Sequence, residues 1–311
     1  MSLTEQNQFS YQSPTGKASP ELLSGSEFRQ DLRRLAGEFK EKIIERQNGI
    51  PTMLDNALLS FIDQLNRLPP QQSLEESSKQ VGGPEGELLR ERLSRLRTIL
   101  SRRSQGRFVS YEDRRNSPGE ESEISDFEML MSQGAAECMK WKGMALFKTV
   151  YDFSIYTMML WDLKPRTIFE LGSGTGSSAV WFADLMKTFG VESHVHSVDL
   201  KEVKLKHAGV NFVQGNSMNI ERIFDEGYLR SAPHPWLVIE DAHANVYEVL
   251  CYFHGFLEQG DYLVVEDSII KKNEIARFMR RYPDRYRVDT YYTDFFGRNA
   301  TCSPDSIFVK M

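Results

Sequence analysis

The stretch Thr167-Ile-Phe-Glu-Leu-Gly-Ser-Gly-Thr-Gly-Ser-Ser178 decides the fold class of this chain. It begins as an apolar run interrupted by one acid, Glu170, a pattern that indicates a buried strand. A turn with three glycines follows: Gly172, Gly174 and Gly176. Glycine permits positive φ and lets a ligand approach the backbone closely. The apolar residues of 179–187 then recur at the period of a helix, whose N-terminus would offer free N–H groups to an anion or a carboxylate.

The spacing of these glycines differs from that of the dinucleotide-binding turn. The pattern here is Gly-x-Gly-x-Gly, with Glu170 two residues before the first glycine. Proteins that bind a pyrophosphate at such a turn carry Gly-x-Gly-x-x-Gly. The turn therefore suits a nucleoside with an amino-acid tail, such as S-adenosylmethionine, better than a dinucleotide. Taken alone, a glycine-rich turn is also typical of a tight connection between a strand and a helix.

The composition of the chain excludes several classes of protein. Its 311 residues carry a net charge of −6, which argues against a dedicated nucleic-acid-binding protein. Cys138, Cys251 and Cys302 share no close spacing and predict neither a disulfide framework nor a zinc knuckle. No apolar run approaches the roughly 18 residues needed to span a bilayer, and no signal peptide is evident. We therefore expect a soluble, cytoplasmic protein with no membrane partner.

The chain is predicted to have three parts. Residues 1–27 are rich in Ser, Gln, Gly and Pro and predict a flexible tail. Residues 28–118 contain three leucine-rich amphipathic segments and predict a helical N-terminal region, and residues 119–311 form the catalytic domain. The apolar stripes must cover one another, the catalytic domain or a second subunit, so this region is predicted to be a cap or a homo-oligomer interface. The arginines of the third segment favour a solvated face, with an anionic partner as the alternative, and the stretch from residue 107 to residue 125 is predicted to be loop-like.

Strands and helices alternate after the glycine turn. Four further strands are predicted at 195–199, 211–214, 236–241 and 262–267. Alternation of this kind predicts a parallel, doubly wound sheet. Two late strands, at 286–291 and 306–310, form a pair that would close the sheet. The predicted fold class is therefore α/β, a Rossmann-like class I methyltransferase sheet with a helical N-terminal region.

Polar or acidic residues stand at the carboxyl end of every parallel strand, where open α/β sheets bind their ligands. Asp199 lies 23 residues after Gly176, about where an acid can accept hydrogen bonds from both hydroxyls of a ribose. Asp241, Glu266 and Asp267 follow two neighbouring predicted strands, and carboxylates gathered there would repel one another unless a cation or protons intervene. An all-oxygen site of this kind suits Mg²⁺ or Mn²⁺. The alternative is that these acids cap helices and pair with arginines.

The sequence from Trp141 to about Ser268 resembles a known family of enzymes. The motifs that carry the resemblance are Trp141-x-Gly143 with Lys148 and Asp152, Leu163-Lys-Pro-x-x-Ile168, Glu170-Leu-Gly with Gly176-x-Ser178, Gly215-Asn-Ser217, Asp241-Ala-His-Ala-Asn245 and Tyr262-Leu-Val-Val-Glu-Asp267. They are similar to those of the cephalosporin hydroxylase and rhamnosyl O-methyltransferase family and, more distantly, of the catechol O-methyltransferases. Residues 1–120 have no counterpart in this resemblance.

The resemblance implies transfer of a methyl group from S-adenosylmethionine to a hydroxyl of a small molecule or natural product. By position, Ser178 would contact the methionine carboxylate and Asp199 the ribose, while Asn216 and Ser217 would lie beside the adenine. The divalent-metal ligands would be Asp241, Glu266 and Asp267. The acceptor molecule cannot be inferred from these motifs.

The general base departs from the pattern of the catechol enzymes. Those enzymes place a lysine three residues after the first metal-binding Asp, and Ala244 occupies that position here. His243 is the nearest substitute, and it is either the base or a structural residue bonded to backbone.

A second interpretation of the whole chain is an enzyme that consumes S-adenosylmethionine without methyl transfer, for example by intramolecular cyclisation, and without need of a metal. A third is a non-catalytic partner that uses the fold for assembly.

The apolar stripes of the N-terminal region generate a first prediction. We expect that deleting residues 1–104 exposes apolar surface and either lowers solubility or changes the oligomeric state. Light scattering after size-exclusion chromatography measures the mass of the truncated protein, and a methyl-transfer assay measures its activity. A truncated protein with unchanged mass in solution and full activity would contradict the prediction.

Overall fold

The computed structural model describes residues 106–116 and 122–311, together with a few isolated positions before residue 61. By its internal contacts the chain divides into two compact units, residues 1–101 and 102–311. The described residues belong almost entirely to the second unit. The predicted tail of residues 1–27, and nearly all of the predicted helical region of residues 28–118, lie outside the described residues.

Eight of the described strands form one sheet. These are β1 (Phe108–Val109), β4 (Thr167–Leu171), β5 (His194–Asp199), β6 (Val210–Gln214), β7 (Trp236–Glu240), β8 (Tyr262–Val265), β9 (Tyr286–Asp289) and β10 (Ile307–Lys310). Their order across the sheet is β1-β9-β10-β8-β7-β4-β5-β6. The five strands from β8 to β6 are parallel, whereas β10, β9 and β1 are antiparallel to their neighbours. A separate two-stranded ribbon contains β2 (Lys140–Trp141) and β3 (Met144–Ala145).

Helices cover both faces of the sheet. The described helices are α1 (Tyr111–Asn116), α2 (Asp126–Met131), α3 (Val150–Leu163), α4 (Ser177–Thr188), α5 (Ile220–Ile223), α6 (Glu226–Ser231), α7 (Val246–His254), α8 (Lys272–Arg281) and α9 (Thr290–Thr293). Every residue of the central strands β4 and β7 is buried, as expected for parallel strands that pack against helices on both sides. Two apolar clusters result, one on each face of the sheet.

The class I methyltransferase fold predicted from the sequence is confirmed. All five predicted parallel strands are present, and the two late strands form the antiparallel pair β9–β10 beside β8. The strand β8 ends at Val265, so Glu266 and Asp267 lie just beyond it. Within the described residues, no helix combines the length and the apolar character needed to cross a bilayer.

Residues 106–116 differ from the predicted loop. Phe108–Val109 adds an antiparallel strand to the edge of β9, and Tyr111–Asn116 forms a helix. The helix carries Arg114, which is 2% exposed. Its guanidinium donates to Asp305 Oδ1 at 2.5 Å and to both carboxylate oxygens of Asp294 at 2.8 and 2.9 Å. This segment therefore packs on the catalytic sheet, although the sequence-based boundary at residue 118 assigned it to the N-terminal region.

The contacts of Arg114 predict a large loss of stability on its removal. Arg114→Ala removes the buried guanidinium that donates to Asp294 and Asp305, and we expect the free energy of unfolding to fall by about 3–5 kcal/mol. The control is Arg287→Ala, which breaks a surface pair with the exposed Asp284 and is expected to cost about 1 kcal/mol or less. Urea denaturation measures both changes. A loss for Arg114→Ala as small as that of the control would contradict the prediction.

Candidate active site

A cavity of about 460 Å³ opens at the carboxyl ends of the parallel strands. This is where ligands of open α/β sheets bind. Eight of the residues singled out from the sequence line it: Gly172, Gly174, Asp199, Ser217, Asp241, His243, Glu266 and Asp267. The fold thus brings the glycine turn and the predicted metal-binding acids to the same cavity.

At Gly172 the absence of a side chain is required by contacts within the protein, and not only by the approach of a ligand to the cavity. Gly172 has a φ of +106°, and a Cβ atom at this position would lie 2.6 Å from the backbone carbonyl oxygen of Asp241. A side chain there would push the ends of β4 and β7 apart. Around Gly174 a Cβ would meet no atom within 4 Å, so this part of the turn is open.

The carboxylate of Asp199 is held by backbone donors. The N–H of Gly174 donates to its Oδ2 atom at 2.9 Å, and the N–H of Lys201 donates to its Oδ1 atom at 2.9 Å. Each oxygen of an ionised carboxylate has a second lone pair for a further donor. Asp199 is therefore fixed in orientation at the cavity wall while it can still accept hydrogen bonds from a ligand.

Four predicted cofactor contacts do not line the cavity: Glu170, Gly176, Ser178 and Asn216. Glu170 is buried below the turn, where Ser197 donates to it; burial raises its pKa, and hydrogen bonds from Ser178 and Ser197 oppose that rise. Gly176 leaves room for Val203, whose Cγ1 atom would lie 2.7 Å from an added Cβ. Asn216 is exposed and accepts from the N–H of Met218 at 2.9 Å. As cofactor contacts these four residues stay predictions.

Asp241, His243 and Asp267 form a cluster of potential metal ligands at the cavity wall. One ligand atom from each lies within 4.8 Å of the others. The Nε2 atom of His243 is 3.4 Å from Asp241 Oδ1 and 3.3 Å from Asp267 Oδ2. His243 and Asp267 have φ values of +55° and +48°, a backbone region that non-glycine residues rarely adopt and that often marks functional sites.

Glu266 has other partners. Lys148 donates to its Oε2 atom, and the hydroxyl of Tyr156 donates to its Oε1 atom at 2.6 Å. Lys148 also donates to Asp241 Oδ2 at 3.2 Å. Lys148 and Asp152 belong to a motif that carries the family resemblance, yet the sequence analysis assigned no role to either of them or to Tyr156. The available signal was the spacing of four residues from Lys148 to Asp152 and from Asp152 to Tyr156.

These contacts determine the ionisation of the cluster. Burial opposes the charged form of Asp241, but the ammonium of Lys148 and the hydrogen bond from His243 outweigh it, and the pKa of Asp241 falls below its usual range. Burial raises the pKa of Glu266, an effect that Lys148 only partly offsets. The hydrogen bond to Asp241 raises the pKa of His243 against an opposing effect of burial. Burial opposes the charged form of Lys148, but the carboxylates of Glu266 and Asp241 outweigh it and raise its pKa above the ordinary value, so this side chain is an ammonium.

The donor atoms at this wall fit a divalent cation that prefers oxygen. Two carboxylates from adjacent strand ends could bind Mg²⁺ or Mn²⁺, with water or ligand oxygens at the remaining positions. The cluster contains one histidine and no cysteine, which makes it a poor zinc site. The glycine turn and Asp199 lie on the same cavity and fit a nucleoside with an amino-acid tail.

The fixed carboxylate of Asp199 predicts its effect on cofactor affinity. Asp199→Ala is expected to weaken S-adenosylmethionine binding, because each charge-assisted hydrogen bond contributes about 1.5–3 kcal/mol. Asp199→Asn keeps one acceptor oxygen without the charge, so its affinity should fall between those of the wild-type protein and the alanine variant. Titration calorimetry measures the three affinities. Equal affinities in folded variants would remove Asp199 from the site.

Comparisons with known proteins agree with this geometry. Residues 133–287 match the model of the rhamnosyl O-methyltransferase/CmcI family. The rhamnosyl O-methyltransferase of Mycobacterium leprae is 29% identical over 182 residues, which cover 50% of this chain and 77% of that protein. The enzyme of the same name from Mycobacterium tuberculosis strain H37Rv is 27% identical over 194 residues, covering 54% and 76%.

A solved structure shows the same fold. The apo structure of CmcI-N160 is 27% identical in sequence, covers 64% of this chain and 83% of that chain, and has a TM-score of 0.50. Residues 133–287, which match the family model, contain the glycine turn, Asp199, Asp241, His243, Glu266 and Asp267. The chain is therefore a class I S-adenosylmethionine-dependent methyltransferase, and its residues 133–287 are similar to the rhamnosyl O-methyltransferase/CmcI family.

Proposed function

We propose that the chain methylates a hydroxyl oxygen of a small molecule or natural product with the assistance of a divalent cation. The observation that carries this proposal is the position of the Asp241–His243–Asp267 cluster. It lies on the same cavity as the glycine turn and Asp199, so an acceptor oxygen at the cluster would be next to a cofactor held by the turn.

The cofactor would be held along the strand ends from β4 to β6. The open turn at Gly174 would receive the amino-acid tail, and Asp199 would accept hydrogen bonds from the ribose hydroxyls. Ser217 would border the adenine of the cofactor. Its hydroxyl donates to the carbonyl oxygen of Ala244 at 3.2 Å, and this hydrogen bond links the end of β6 to the loop after β7. S-adenosylmethionine, when bound, supplies an electrophilic methyl group on a sulfonium that leaves as a neutral thioether.

The cation would be held by Asp241 and Asp267, with His243 beside them. Glu266, the third acid predicted from the sequence, stays a proposed ligand whose oxygens contact Lys148 and Tyr156 in this structure. A divalent cation at such a site lowers the pKa of a coordinated hydroxyl and fixes its position. The role of the protein is then to align the acceptor with the methyl group and to exclude water.

His243 is the proposed general base. Its imidazole is 42% exposed and lies at the cavity wall, where it could receive a proton from an acceptor hydroxyl. A base must be neutral, and the hydrogen bond to Asp241 raises the pKa of His243, which favours the imidazolium. A bound cation that offsets the negative charges of Asp241 and Asp267 is therefore a condition for His243 to act as the base. Lys148 cannot replace His243, because its ammonium is bound between two carboxylates.

The acceptor would reach the cluster from the mouth of the cavity. Phe147 lines the cavity and is 62% exposed, so an apolar part of an acceptor could pack against it. A homo-oligomer formed through the N-terminal leucine stripes stays a prediction.

Removal of the cation or of one ligand tests the proposed function. Asp241→Asn is expected to leave S-adenosylmethionine largely bound and to reduce methyl transfer by at least a hundredfold, because the site loses a charged ligand. EDTA should do the same to the wild-type protein, and added Mg²⁺ or Mn²⁺ should restore the wild-type protein but not the variant. Transfer of a labelled methyl group to a panel of hydroxyl acceptors is the measurement.

The matched control is Asp284→Asn, at a side chain that is 84% exposed and lies outside the cavity. It should transfer methyl groups at the wild-type rate. Full turnover of the wild-type protein in EDTA would refute the metal role. Consumption of S-adenosylmethionine in EDTA without a methylated product would favour the intramolecular cyclisation reading.

A further inference from the structure

The ammonium of Lys148 occupies a buried position beneath the candidate metal ligands. The side chain is 4% exposed, and it follows the ribbon β2–β3 just before the first turn of α3. Its Nζ atom donates to Glu266 Oε2 and, at 3.2 Å, to Asp241 Oδ2. A buried ammonium is costly unless carboxylates surround it, and here two of them do.

The two carboxylates are oriented by this contact. Asp241 has Lys148 on its Oδ2 atom and His243 on its Oδ1 atom, so neither oxygen is free to rotate away from the cluster. Glu266 has Lys148 on Oε2 and the hydroxyl of Tyr156 on Oε1. The ring of Tyr156 also lies under the ammonium, with 5.9 Å between Nζ and the ring centroid. Every oxygen of both carboxylates therefore has a partner that does not depend on a bound ion.

We propose that Lys148 is a built-in counter-cation that holds the carboxylates of Asp241 and Glu266 in place without metal and competes with the divalent cation for them. The proposal rests on the proposed metal-assisted function. It assigns Lys148 a positioning role that sets the affinity of the metal site, and it gives Lys148 no contact with the reacting atoms.

The physical argument has two parts. Acids at adjacent strand ends repel one another, and a fixed positive charge among them removes much of that repulsion before any ion arrives. The same charge then repels an incoming cation a few ångströms away, and the repulsion is weakly screened because the ammonium of Lys148 is itself buried. Lys148 therefore stabilises the metal-free protein and weakens metal binding. Removing its charge should change the two properties in opposite directions, because the stability of the metal-free protein falls while its metal affinity rises.

The decisive variant is Lys148→Met, which keeps the aliphatic length and removes the charge. Mn²⁺ affinity is measured by electron paramagnetic resonance in the absence of cofactor and acceptor. We expect Lys148→Met to bind Mn²⁺ at least tenfold more tightly than the wild-type protein, and Lys148→Arg to stay within about threefold of it. The melting temperature of metal-free Lys148→Met should fall and should rise more steeply with Mn²⁺ than that of the wild-type protein.

The matched control is Lys142→Met. Lys142 lies in the same ribbon segment, but its side chain is 58% exposed and pairs with Asp184, outside the cavity. This variant removes the same charge and should leave Mn²⁺ affinity within about twofold of the wild-type value. If Lys148→Met does not fold, Lys148→Gln carries the same expectation, because its amide can still donate to Glu266.

Weaker or unchanged Mn²⁺ binding in a folded, uncharged Lys148 variant would overturn the proposal, since Lys148 would then support the ligands without competing with the ion. In that case the proposed metal-assisted function would stand, provided that the wild-type protein binds Mn²⁺. A wild-type protein that binds no Mn²⁺ at millimolar concentration would overturn the metal proposal itself.

Discussion

The concentration of negative charge at two adjacent strand ends is the constraint on which this structure depends. The parallel strands β7 and β8 pair in register, so the residues that follow them are held side by side by the backbone of the sheet. Asp241, Glu266 and Asp267 cannot separate without breaking that pairing. Their repulsion has to be compensated locally, and the described residues compensate it with Lys148 below the cluster and His243 above it. The chemistry of the site follows from this arrangement, since a wall that must attract positive charge can also accept a cation.

The strands and the parallel, doubly wound character of the sheet could be predicted from the sequence because the signals of the individual strands are local. Apolar runs such as Trp236–Glu240, bounded by acids and turns, identify buried strands without knowledge of the rest of the chain. The glycine turn was equally clear, although the predicted reason was incomplete. Gly172 was expected to allow close approach of a ligand, and the structure shows that it also allows close approach of the backbone of Asp241.

The partners of the acids could not be predicted, because they are distant in sequence. Lys148 and Glu266 are 118 positions apart, and the hydroxyl of Thr301 donates to Asp152 across 149 positions. No spacing rule connects such residues, so the sequence could not show that Lys148 contacts both Asp241 and Glu266, or that Tyr156 contacts Glu266. The segment of residues 106–116 was missed for a similar reason. Its charged residues resemble those of a loop, and only the distant acids at 294 and 305 explain why Arg114 is buried.

The short strand β1 limits the pairing of the catalytic sheet with strands of other chains. An antiparallel strand at the end of a sheet presents unpaired N–H and C=O groups, which can template pairing with another chain. Phe108–Val109 covers part of that edge on β9, and the guanidinium of Arg107 holds it there through two hydrogen bonds of 2.8 Å to the buried Asp289. Two residues and one ion pair thus cover part of an edge that could otherwise pair with a strand of another chain. A catalytic fragment that begins after this strand would expose β9 and would be prone to aggregate.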